Sequence, residues 1–464
     1  MNSTLQNSRI LVLGLGDSGM SMLRYLKRQG VQVSVADSRE TPPNATRLQA
    51  EFPDIKLHVG PFRDEIFADL DMIAISPGVP LADSKVAAAA RRIPVVGDVE
   101  LFALALADHS SRSSPNIIAI TGSNGKSTVT EMAGAMCRAA GQKTMVAGNI
   151  GLPVLDALAE AEAEGMPDVF VLELSSFQLE TTYSLNPAAA TVLNISEDHL
   201  DRYDGMEGYV AAKARIFQGS GMQIVNRDDP RTLTITQARC TQTFGLDSPA
   251  NQKDWGLIEH EGKTWLAHGT HPLMPLDALP LTGRHNAANA LAALALCRAI
   301  DLPIAPLLDG LKTFKGLPHR VEKVASLNEI DFFDDSKGTN VGATVAALTG
   351  MPNKVVLIAG GDGKGQDFSP LAPAVAGHAR AVVLIGRDGA KIGEVLKNSG
   401  VPLLRAGGME EAVELSFGQA QAGDAVLLSP ACASFDMFRN YKHRAEAFIA
   451  AVHQLGRNTG RSAG

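Results

Sequence analysis

Cysteine is scarce in this sequence of 464 residues. The four cysteines, Cys137, Cys240, Cys297 and Cys432, lie far apart and form no Cys-x-x-Cys pair. This spacing argues against a zinc knuckle and against a disulfide framework. Unpaired thiols are typical of the reducing cytoplasm, and we expect a cytoplasmic protein.

An excess of positive charge is also lacking. The sequence has 50 Asp and Glu against 42 Lys and Arg, so its formal net charge is −8. A protein that wraps nucleic acid needs a dense basic surface to neutralise the phosphates. We therefore expect no nucleic-acid partner, and any bound anion has to be held by local geometry.

Long apolar runs are missing as well. The longest apolar stretch, around residues 287–297, is too short to span a bilayer. The first eight residues are polar, and the apolar segment that follows has neither a basic flank nor a cleavage site. The sequence therefore predicts neither export nor insertion into a membrane.

The remaining composition is that of an ordinary globular protein, with 45% hydrophobic, 20% charged and 5% aromatic residues. A usual domain size of about 150 residues allows roughly three domains. Glycine, at 44 residues, exceeds the usual share of about 7%. Glycines often mark turns where the backbone approaches something closely.

Three segments of the chain begin alike, with an apolar strand that runs into glycines and then a helix. In the first segment, strands at residues 10–13 and 31–36 flank a helix at 20–29. In the second, a strand at 117–120 leads into a glycine-rich turn and a helix at 126–140. This alternation predicts an α/β fold with parallel sheets.

We place three domains at residues 1–98, 99–316 and 317–464. The second is interrupted by short strands around Glu261-Gly262, which predict an antiparallel hairpin. The tail, residues 456–464, is small and polar, and we expect it to be disordered.

The strongest local signal is residues 121–128, Thr-Gly-Ser-Asn-Gly-Lys-Ser-Thr, which we call the phosphate loop. Backbone N–H groups of such a loop point at a phosphate chain, the lysine meets the outer phosphates, and the serine hydroxyl ligates Mg²⁺. The loop has two residues fewer between its glycines than the common Gly-x-x-x-x-Gly-Lys-Ser/Thr spacing. A helix-capping turn is the alternative.

The first strand is followed by residues 14–19, which match Gly-x-Gly-x-x-Gly, and Asp37 ends the second strand about 20 residues later. A dinucleotide, another ligand with a diphosphate and a ribose, and a merely structural turn all agree with this pattern. We call this segment the first glycine turn.

Acidic and basic residues at strand ends supply candidates for chemistry. Glu173 ends a buried strand, where a carboxylate can hold the Mg²⁺ of a nucleotide or cap a helix. His199 also follows a strand end, where it is either a ligand or a hydrogen-bonded structural group. Lys213 reads as a solvated surface charge. Arg320 is either a phosphate donor or a surface residue beside a domain junction.

Taken together, these motifs resemble the Mur ligase family over essentially the whole chain. The family also uses the shortened phosphate loop. The matching segments occur in order at residues 14–19, 122–128, 148–151, 173–180, 194–202, the helix around 213, 283–286, 316–320, 335–340 and 429–434.

The resemblance implies three α/β domains. The first is Rossmann-like and binds a UDP moiety, the second is a P-loop ATPase domain, and the third is Rossmann-like, binds the incoming amino acid and closes over the site. It implies a cytoplasmic, monomeric ligase of cell-wall synthesis that uses ATP, two Mg²⁺ and a carbamate on Lys213. Its substrates would be UDP-N-acetylmuramoyl-L-alanine and glutamate, which in that family is the D form.

The resemblance also assigns residues to roles. The catalytic set is Lys126, Glu173, His199, Lys213 and Arg320, and the metal ligands are Ser127, Glu173, His199 and Lys213. The ATP-binding set is Gly122, Ser123, Asn124, Gly125, Lys126, Ser127, Thr128, Asn286, Arg320 and Asp335. The UDP-substrate set is Leu15, Asp17, Ser18, Asp37, Ser38, Arg39, Gly78, Asn149 and His199. The glutamate set is Lys337, Thr339, Lys364, Ser434 and Tyr441.

Two positions in the glutamate region depart from the family pattern. Tyr441 stands where Phe is typical, and Gly338 stands where Ala is typical. A nucleotide-binding regulator without catalysis is one competing hypothesis, and the set of Lys126, Glu173 and Lys213 argues against it. An NAD-dependent oxidoreductase built on the first glycine turn is another. It leaves the phosphate loop, Glu173 and His199 without a role.

Overall fold

The computed structural model describes residues 7–108, 114–198, 202–236, 240–281 and 283–458. Its described residues form three sheets in chain order, which define a first, a second and a third domain. The three-domain α/β fold expected from the sequence is confirmed. Within the described ranges, no helix is long and apolar enough to cross a membrane.

The first domain has a five-stranded parallel sheet in the order β3-β2-β1-β4-β5. Helix α1 starts at Asp17, three residues earlier than predicted, with that acidic side chain in its first turn. The elements are β1 Arg9–Leu13, α1 Asp17–Arg28, β2 Gln32–Asp37, α2 Ala45–Glu51, β3 Leu57–Val59, β4 Met72–Ile75, α3 Ser84–Ala90, β5 Val95–Val96 and the connecting helix α4 Asp98–Asp108.

The second domain has a nine-stranded sheet in the order β14-β13-β12-β11-β10-β9-β6-β8-β7. Its strands are β6 Asn116–Thr121, β7 Thr144–Gly148, β8 Val169–Glu173, β9 Ala189–Val192, β10 Met222–Asn226, β11 Thr241–Phe244, β12 Trp255–His260, β13 Lys263–His268 and β14 His271–Pro275. Its helices are α5 Lys126–Ala139, α6 Val154–Glu164, α7 Ser176–Leu179, α8 Gly205–Ala214, α9 Pro230–Thr234, α10 Arg284–Arg298 and α11 Ile304–Thr313.

The hairpin predicted in the second domain is confirmed. Strands β12 and β13 are antiparallel, and the turn residues Glu261 and Gly262 both have positive φ, at 51° and 72°. The central strands β6, β8 and β9 are instead parallel and almost wholly buried. Their near-continuous apolar sequences fit a sheet covered by helices on both faces.

The third domain has a six-stranded sheet in the order β15-β16-β20-β17-β18-β19, in which only β15 is antiparallel among the described strands. Its strands are β15 Glu322–Leu327, β16 Ile330–Asp334, β17 Val355–Gly360, β18 Ala379–Ile385, β19 Leu403–Arg405 and β20 Ala425–Leu428. Its helices are α12 Val341–Gly350, α13 Leu371–His378, α14 Gly389–Leu396, α15 Met409–Gln419 and α16 Tyr441–Asn458.

The prediction that the tail is disordered from residue 456 is wrong for its first three residues. Helix α16 continues through Asn458. Val452 and Gly456, one turn apart, are both buried, so this face of the helix packs onto the protein and extends it past the polar composition of the tail. Residues 459–464 lie outside the described ranges.

Candidate active site

The phosphate loop lies at the carboxyl end of β6, where the chain turns into α5. Gly125 precedes the helix with φ at 81°, and a Cβ there would lie 2.7 Å from the side-chain oxygen of Asn289 on α10. Only glycine satisfies both the left-handed backbone and this close approach. The loop backbone is therefore packed directly against α10.

Lys126 begins α5 and folds back over the loop. Its Nζ donates to the carbonyl oxygens of Gly122 at 2.8 Å and Ser123 at 3.0 Å. Burial lowers its pKa, while the negative charges of Glu173 and Asp198 oppose that change. The ammonium group is thus held inside the ring of backbone where a phosphate is expected to bind.

Lys213 is buried, which makes its interpretation as a surface charge wrong. Its side chain is 1% exposed, and its Nζ donates to the Gly122 carbonyl at 2.9 Å and lies 4.6 Å from the Tyr209 ring centroid. Burial, followed by the nearby charge of Lys126, lowers the Lys213 pKa well below its ordinary value. Two lysines therefore converge on one carbonyl oxygen.

Glu173 ends β8 beside the phosphate loop, since Ile120 and Glu173 are paired in the parallel register. Its Oε1 accepts from the Asn149 amide at 2.8 Å. Its Oε2 is buried and has no hydrogen-bond partner among the described residues. The alternative that Glu173 caps a helix is wrong, because Ser175 caps α7. A buried carboxylate oxygen of this kind suits a cation.

The third domain reaches the phosphate loop through Arg320. Its Nη2 donates to the Ser127 hydroxyl at 2.7 Å. Asp335 lies behind it, buried, and accepts a hydrogen bond from the Ser429 hydroxyl at 2.7 Å. Burial raises the Asp335 pKa to about 7. A Cβ on Gly338 would lie 2.5 Å from an Asp335 carboxylate oxygen, so a side chain at this position would displace that carboxylate.

A cavity of about 1130 Å³ opens between the second and third domains. Its volume is enough for a nucleotide-sized ligand. Asn289 also lines it and was missed by sequence reasoning, although it stands one turn after Asn286 on the same helix face. The lining includes six residues of the predicted ATP set, Asn124, Gly125, Thr128, Asn286, Arg320 and Asp335.

Most of the predicted UDP-substrate residues belong to the first domain and lie near the first glycine turn, at the carboxyl edge of the first sheet. Asp37 is buried and accepts from the Leu15 backbone N–H at 2.7 Å and from the Arg39 guanidinium at 2.8 and 2.6 Å. Burial alone would raise the Asp37 pKa, but these hydrogen bonds lower it. Asp17 accepts a longer bond from Asn44 at 3.3 Å.

The remaining members of this set take different positions. Ser18 lies in the first turn of α1, Ser38 is exposed beside Asp37, and Gly78 is exposed in the turn after β4. Asn149 contacts Glu173 and so lies toward the phosphate loop. His199 was predicted in this set and as a metal ligand, and it lies outside the described residues.

Four of the five predicted glutamate residues follow the carboxyl ends of β16, β17 and β20, which are neighbours in the third sheet, and the fifth, Tyr441, begins α16. Lys337 Nζ lies 4.1 Å from the Tyr441 ring centroid, and the Thr339 N–H donates to the Lys337 carbonyl at 2.9 Å. Lys364 and Ser434 stand on adjacent segments, joined by the paired backbone hydrogen bonds of residues 362 and 433.

Lys337 keeps its surface open to the cleft, yet the protein around it displaces much of its water. This desolvation, followed by the positive charge of Arg320, lowers the Lys337 pKa to about 8. The group therefore titrates near neutral pH.

Two supporting residues were also missed. Arg444 is buried on α16 and donates to the Ser336 hydroxyl and carbonyl at 3.0 and 2.7 Å and to the Cys432 carbonyl at 3.0 Å, and its burial lowers its pKa to about 10. Tyr209 contributes its hydroxyl to a 3.1 Å hydrogen bond with Ser123. Nothing in the local sequence marks Arg444, whereas Tyr209 lies in the helix that carries Lys213.

Comparison with family models gives three matches in chain order. Residues 8–97 match the Mur ligase MurD-like N-terminal domain, residues 120–297 match the Mur ligase middle domain, and residues 319–432 match the glutamate ligase domain of Mur ligases. The three sheets described above lie within these ranges, apart from residues 116–119 of β6.

Curated relatives match over nearly their full length. The chain is 57% identical over 453 residues to a UDP-N-acetylmuramoylalanine--D-glutamate ligase of Methylobacillus flagellatus, covering 97% of this chain and 98% of that one. It is 58% identical over 464 residues to a protein of the same name from Thiobacillus denitrificans, covering 97% of each.

Solved structures with the same fold include the MurF ligase of Thermotoga maritima in complex with ADP. It has a TM-score of 0.61, is 16% identical, and the match covers 99% of this chain and 100% of that one. The UDP-N-acetylmuramate-alanine ligase of the same organism has a TM-score of 0.60 at 19% identity, covering 97% and 100%. At these identities the likeness concerns the fold alone.

Proposed function

The chain belongs to the Mur ligase family, and on that premise we propose that it joins D-glutamate to UDP-N-acetylmuramoyl-L-alanine at the expense of ATP, in peptidoglycan precursor synthesis. The observation that carries the proposal is the convergence of Lys126, Lys213 and Arg320 on the phosphate loop, next to the open oxygen of Glu173. The names of relatives at 57% and 58% identity supply the substrates.

The reaction proceeds in two steps. An oxygen of the alanine carboxylate attacks the γ-phosphorus of ATP, which gives an acyl phosphate and ADP. The glutamate amine then attacks the acyl carbon, phosphate leaves with the C–O bonding pair, and the nitrogen loses a proton to give the amide. Activation is needed because a carboxylate is a poor electrophile until one oxygen becomes part of a leaving group.

The phosphate-binding residues act by charge and by position. Lys126 and the loop N–H groups would hold the outer phosphates, while Arg320 would neutralise charge that develops on the transferred group. Asn286 and Asp335 would contact the rest of the nucleotide from opposite walls of the cavity. Because Arg320 comes from the third domain, its approach also shields the acyl phosphate from water.

Magnesium fits the donor set at the loop. Ser127 and Glu173 would hold one ion, and Oε2 of Glu173, which has no hydrogen-bond partner among the described residues, is available as a ligand atom. His199 and a carbamate on Lys213 would hold a second ion. Bound Mg²⁺ would neutralise phosphate charge during the transfer. Lys213 suits carbamate formation, because its lowered pKa favours the free amine, which attacks CO₂ and releases a proton.

The other substrates are assigned to the two remaining clusters. Asp37, Arg39 and the first glycine turn would bind the UDP moiety, and Asn149 would bind the muramoyl part beside Glu173. The glutamate carboxylates would meet Lys337 and Lys364. Because one chain carries all these residues, we also propose that the enzyme works as a monomer in the cytoplasm, which light scattering and cell fractionation would test.

The most direct test offers D- and L-glutamate separately with UDP-N-acetylmuramoyl-L-alanine and Mg·ATP, and measures phosphate release. Release that requires the D form and the muramoyl substrate is expected. Lys126→Ala should abolish it without loss of fold. Nicotinamide turnover without hydrolysis of ATP would refute the proposal. Phosphate release that occurs with L-glutamate and not with D-glutamate would refute its stereochemical part.

A further inference from the structure

Asn340 lies where the third domain meets the second. Its side-chain oxygen caps a helix, and its side-chain NH₂ group takes no part in that cap. It is the N-cap of α12, and its Oδ1 accepts from the Ala343 N–H at 2.9 Å. The side chain is 4% exposed. The amide NH₂ group is buried as well and needs a hydrogen-bond acceptor outside the cap.

That NH₂ group crosses to the second domain. Asn340 Nδ2 lies 3.0 Å from Asn124 Oδ1 in the phosphate loop and 3.3 Å from Asp198 Oδ2, on the segment after β9. A single side chain therefore joins the first turn of α12 to the loop that is expected to hold ATP.

The receiving residue is itself held firmly by the second domain. The Asn124 N–H donates to Asn194 Oδ1 at 2.8 Å, its carbonyl accepts from the Asn194 amide at 3.1 Å, and its Nδ2 donates to the Ser196 hydroxyl at 3.2 Å. Its side-chain oxygen is the atom that faces Asn340.

The approach is close in the next residues of α12 as well. A Cβ on Gly342 would lie 3.0 Å from the Ser196 hydroxyl oxygen and 3.1 Å from Asn124 Nδ2. The absence of a side chain at Gly342 thus lets the start of α12 lie directly on the phosphate loop.

We propose that Asn340 is a positioning residue, which fixes residues 335–339 on the phosphate loop when the third domain is closed. The inference rests on the proposed function, because those residues include Asp335 and Lys337, assigned above to ATP and glutamate. The phosphate loop that would hold ATP belongs to the second domain and Lys337 belongs to the third, so an error of about 1 Å in the relative placement of ATP and glutamate would reduce the rate strongly.

The test uses substitutions that keep the cap. Ser and Asp both accept from the Ala343 N–H, but Ser is too short to reach Asn124, and Asp directs a carboxylate at Asp198. We expect kcat for glutamate-dependent phosphate release to fall about tenfold in Asn340→Ser and about 100-fold in Asn340→Asp. The KM for glutamate should rise, and the affinity for UDP-N-acetylmuramoyl-L-alanine and the melting temperature should stay unchanged.

A matched control is Asp83→Ser, which alters the N-cap of α3 in the first domain, where the Asp side chain accepts from the Lys85 and Val86 N–H groups. It should retain the wild-type kcat and KM. Wild-type constants in Asn340→Ser would overturn the inference and leave Asn340 as a cap alone.

A double-mutant cycle with Asn124→Ala isolates the contact. In that background, Asn340→Ser should reduce kcat by much less than tenfold, and an undiminished loss would contradict the inference.

Small-angle scattering with an ATP analogue tests the positioning role of Asn340 without turnover. The radius of gyration should be larger in Asn340→Asp than in the wild type, and equal radii would overturn it. A wild type without glutamate-dependent release would instead refute the proposed function.

Discussion

The two junctions between domains are built differently. The first and second domains share one hydrophobic core, in which Met20 and Leu23 of α1 belong to the same cluster as Phe102 of α4 and Phe170 of β8. Arg24 of α1 also pairs with Asp156 of α6 through two hydrogen bonds. Separating these domains would expose apolar surface to water, at a cost that grows with area.

The junction with the third domain depends on polar contacts. Among the described residues, the core clusters of the third domain contain only members between residues 321 and 455. Across the junction, Arg320 binds Ser127, and Asn340 binds Asn124 and Asp198. Water can replace such bonds at small net cost. From this comparison we predict that the first two domains move as one body and that the third opens and closes.

The largest effect is expected from breaking the polar junction at Arg320. Arg320→Ala should lower kcat for phosphate release about 1000-fold, because the third domain then brings no charge to the transferred phosphoryl group. Arg405→Ala, on the edge strand of the same domain, is the matched control and should remain active. Full activity of Arg320→Ala in steady-state assays would show that closure does not deliver this charge.

Lys213 tests the part of the site that lies wholly within the second domain. Lys213→Ala should lose about 100-fold in activity, because the proposed carboxylate ligand disappears. Acetate or propionate should restore part of it, and Lys213→Arg, which fills the space with a fixed charge, should not respond to either acid. A Lys213→Ala enzyme as active as wild type would reduce the lysine to a packing role.

The pH dependence of inhibition by glutarate tests the role of Lys337, which lies on the side of the cleft formed by the third domain. With a pKa of about 8, Lys337 is mostly protonated at pH 7 and mostly neutral at pH 9, so its attraction for carboxylates weakens as pH rises. The inhibition constant of glutarate, which has both carboxylates and no amine, should increase about tenfold over this range. In Lys337→Arg it should stay flat. A wild-type constant that falls with pH would contradict the assignment.

The smallest effect on catalysis is expected at α4, the helix that connects the first and second domains. Glu100 of α4 is buried and accepts from the Tyr183 and Ser184 backbone N–H groups and from the Ser184 hydroxyl. Glu100→Ala should lower the free energy of unfolding by about 2–3 kcal/mol while kcat changes less than twofold. Glu100→Gln keeps an acceptor oxygen and should lose less in urea titration. A large fall in kcat at full stability would mean that this junction also serves catalysis.

Much of the fold could be predicted from the sequence, because apolar periodicity and glycine turns are local signals. The strand before the phosphate loop, the helix after it and the hairpin at Glu261 all follow from such signals. The end of α16 does not, because the burial of Gly456 depends on what the helix packs against. The domain boundaries at residues 98 and 316 remain predictions.

The candidate site was predicted unevenly for the same reason. Lys126 stands in a motif whose spacing determines its chemistry. Lys213 and Arg444 look like ordinary helical cations, and their burial arises from distant parts of the chain. Asn340 was visible within its motif, but its contact with Asn124 joins residues more than 200 positions apart. No local pattern encodes such a pairing.

The contrast between the two junctions can be measured directly by distances between spin labels. Lys56, Lys253 and Lys397 are exposed, one in each domain, and can be replaced in pairs by cysteine to carry the spin labels. The background variant is Cys240→Ser, because Cys240 is the exposed thiol among the described cysteines and would also be labelled. The distance from residue 253 to 397 should be broadly distributed without ligands and narrow with an ATP analogue and the muramoyl substrate. The distance from 56 to 253 should stay the same. A ligand-dependent change between 56 and 253, with 253 to 397 fixed, would contradict the account.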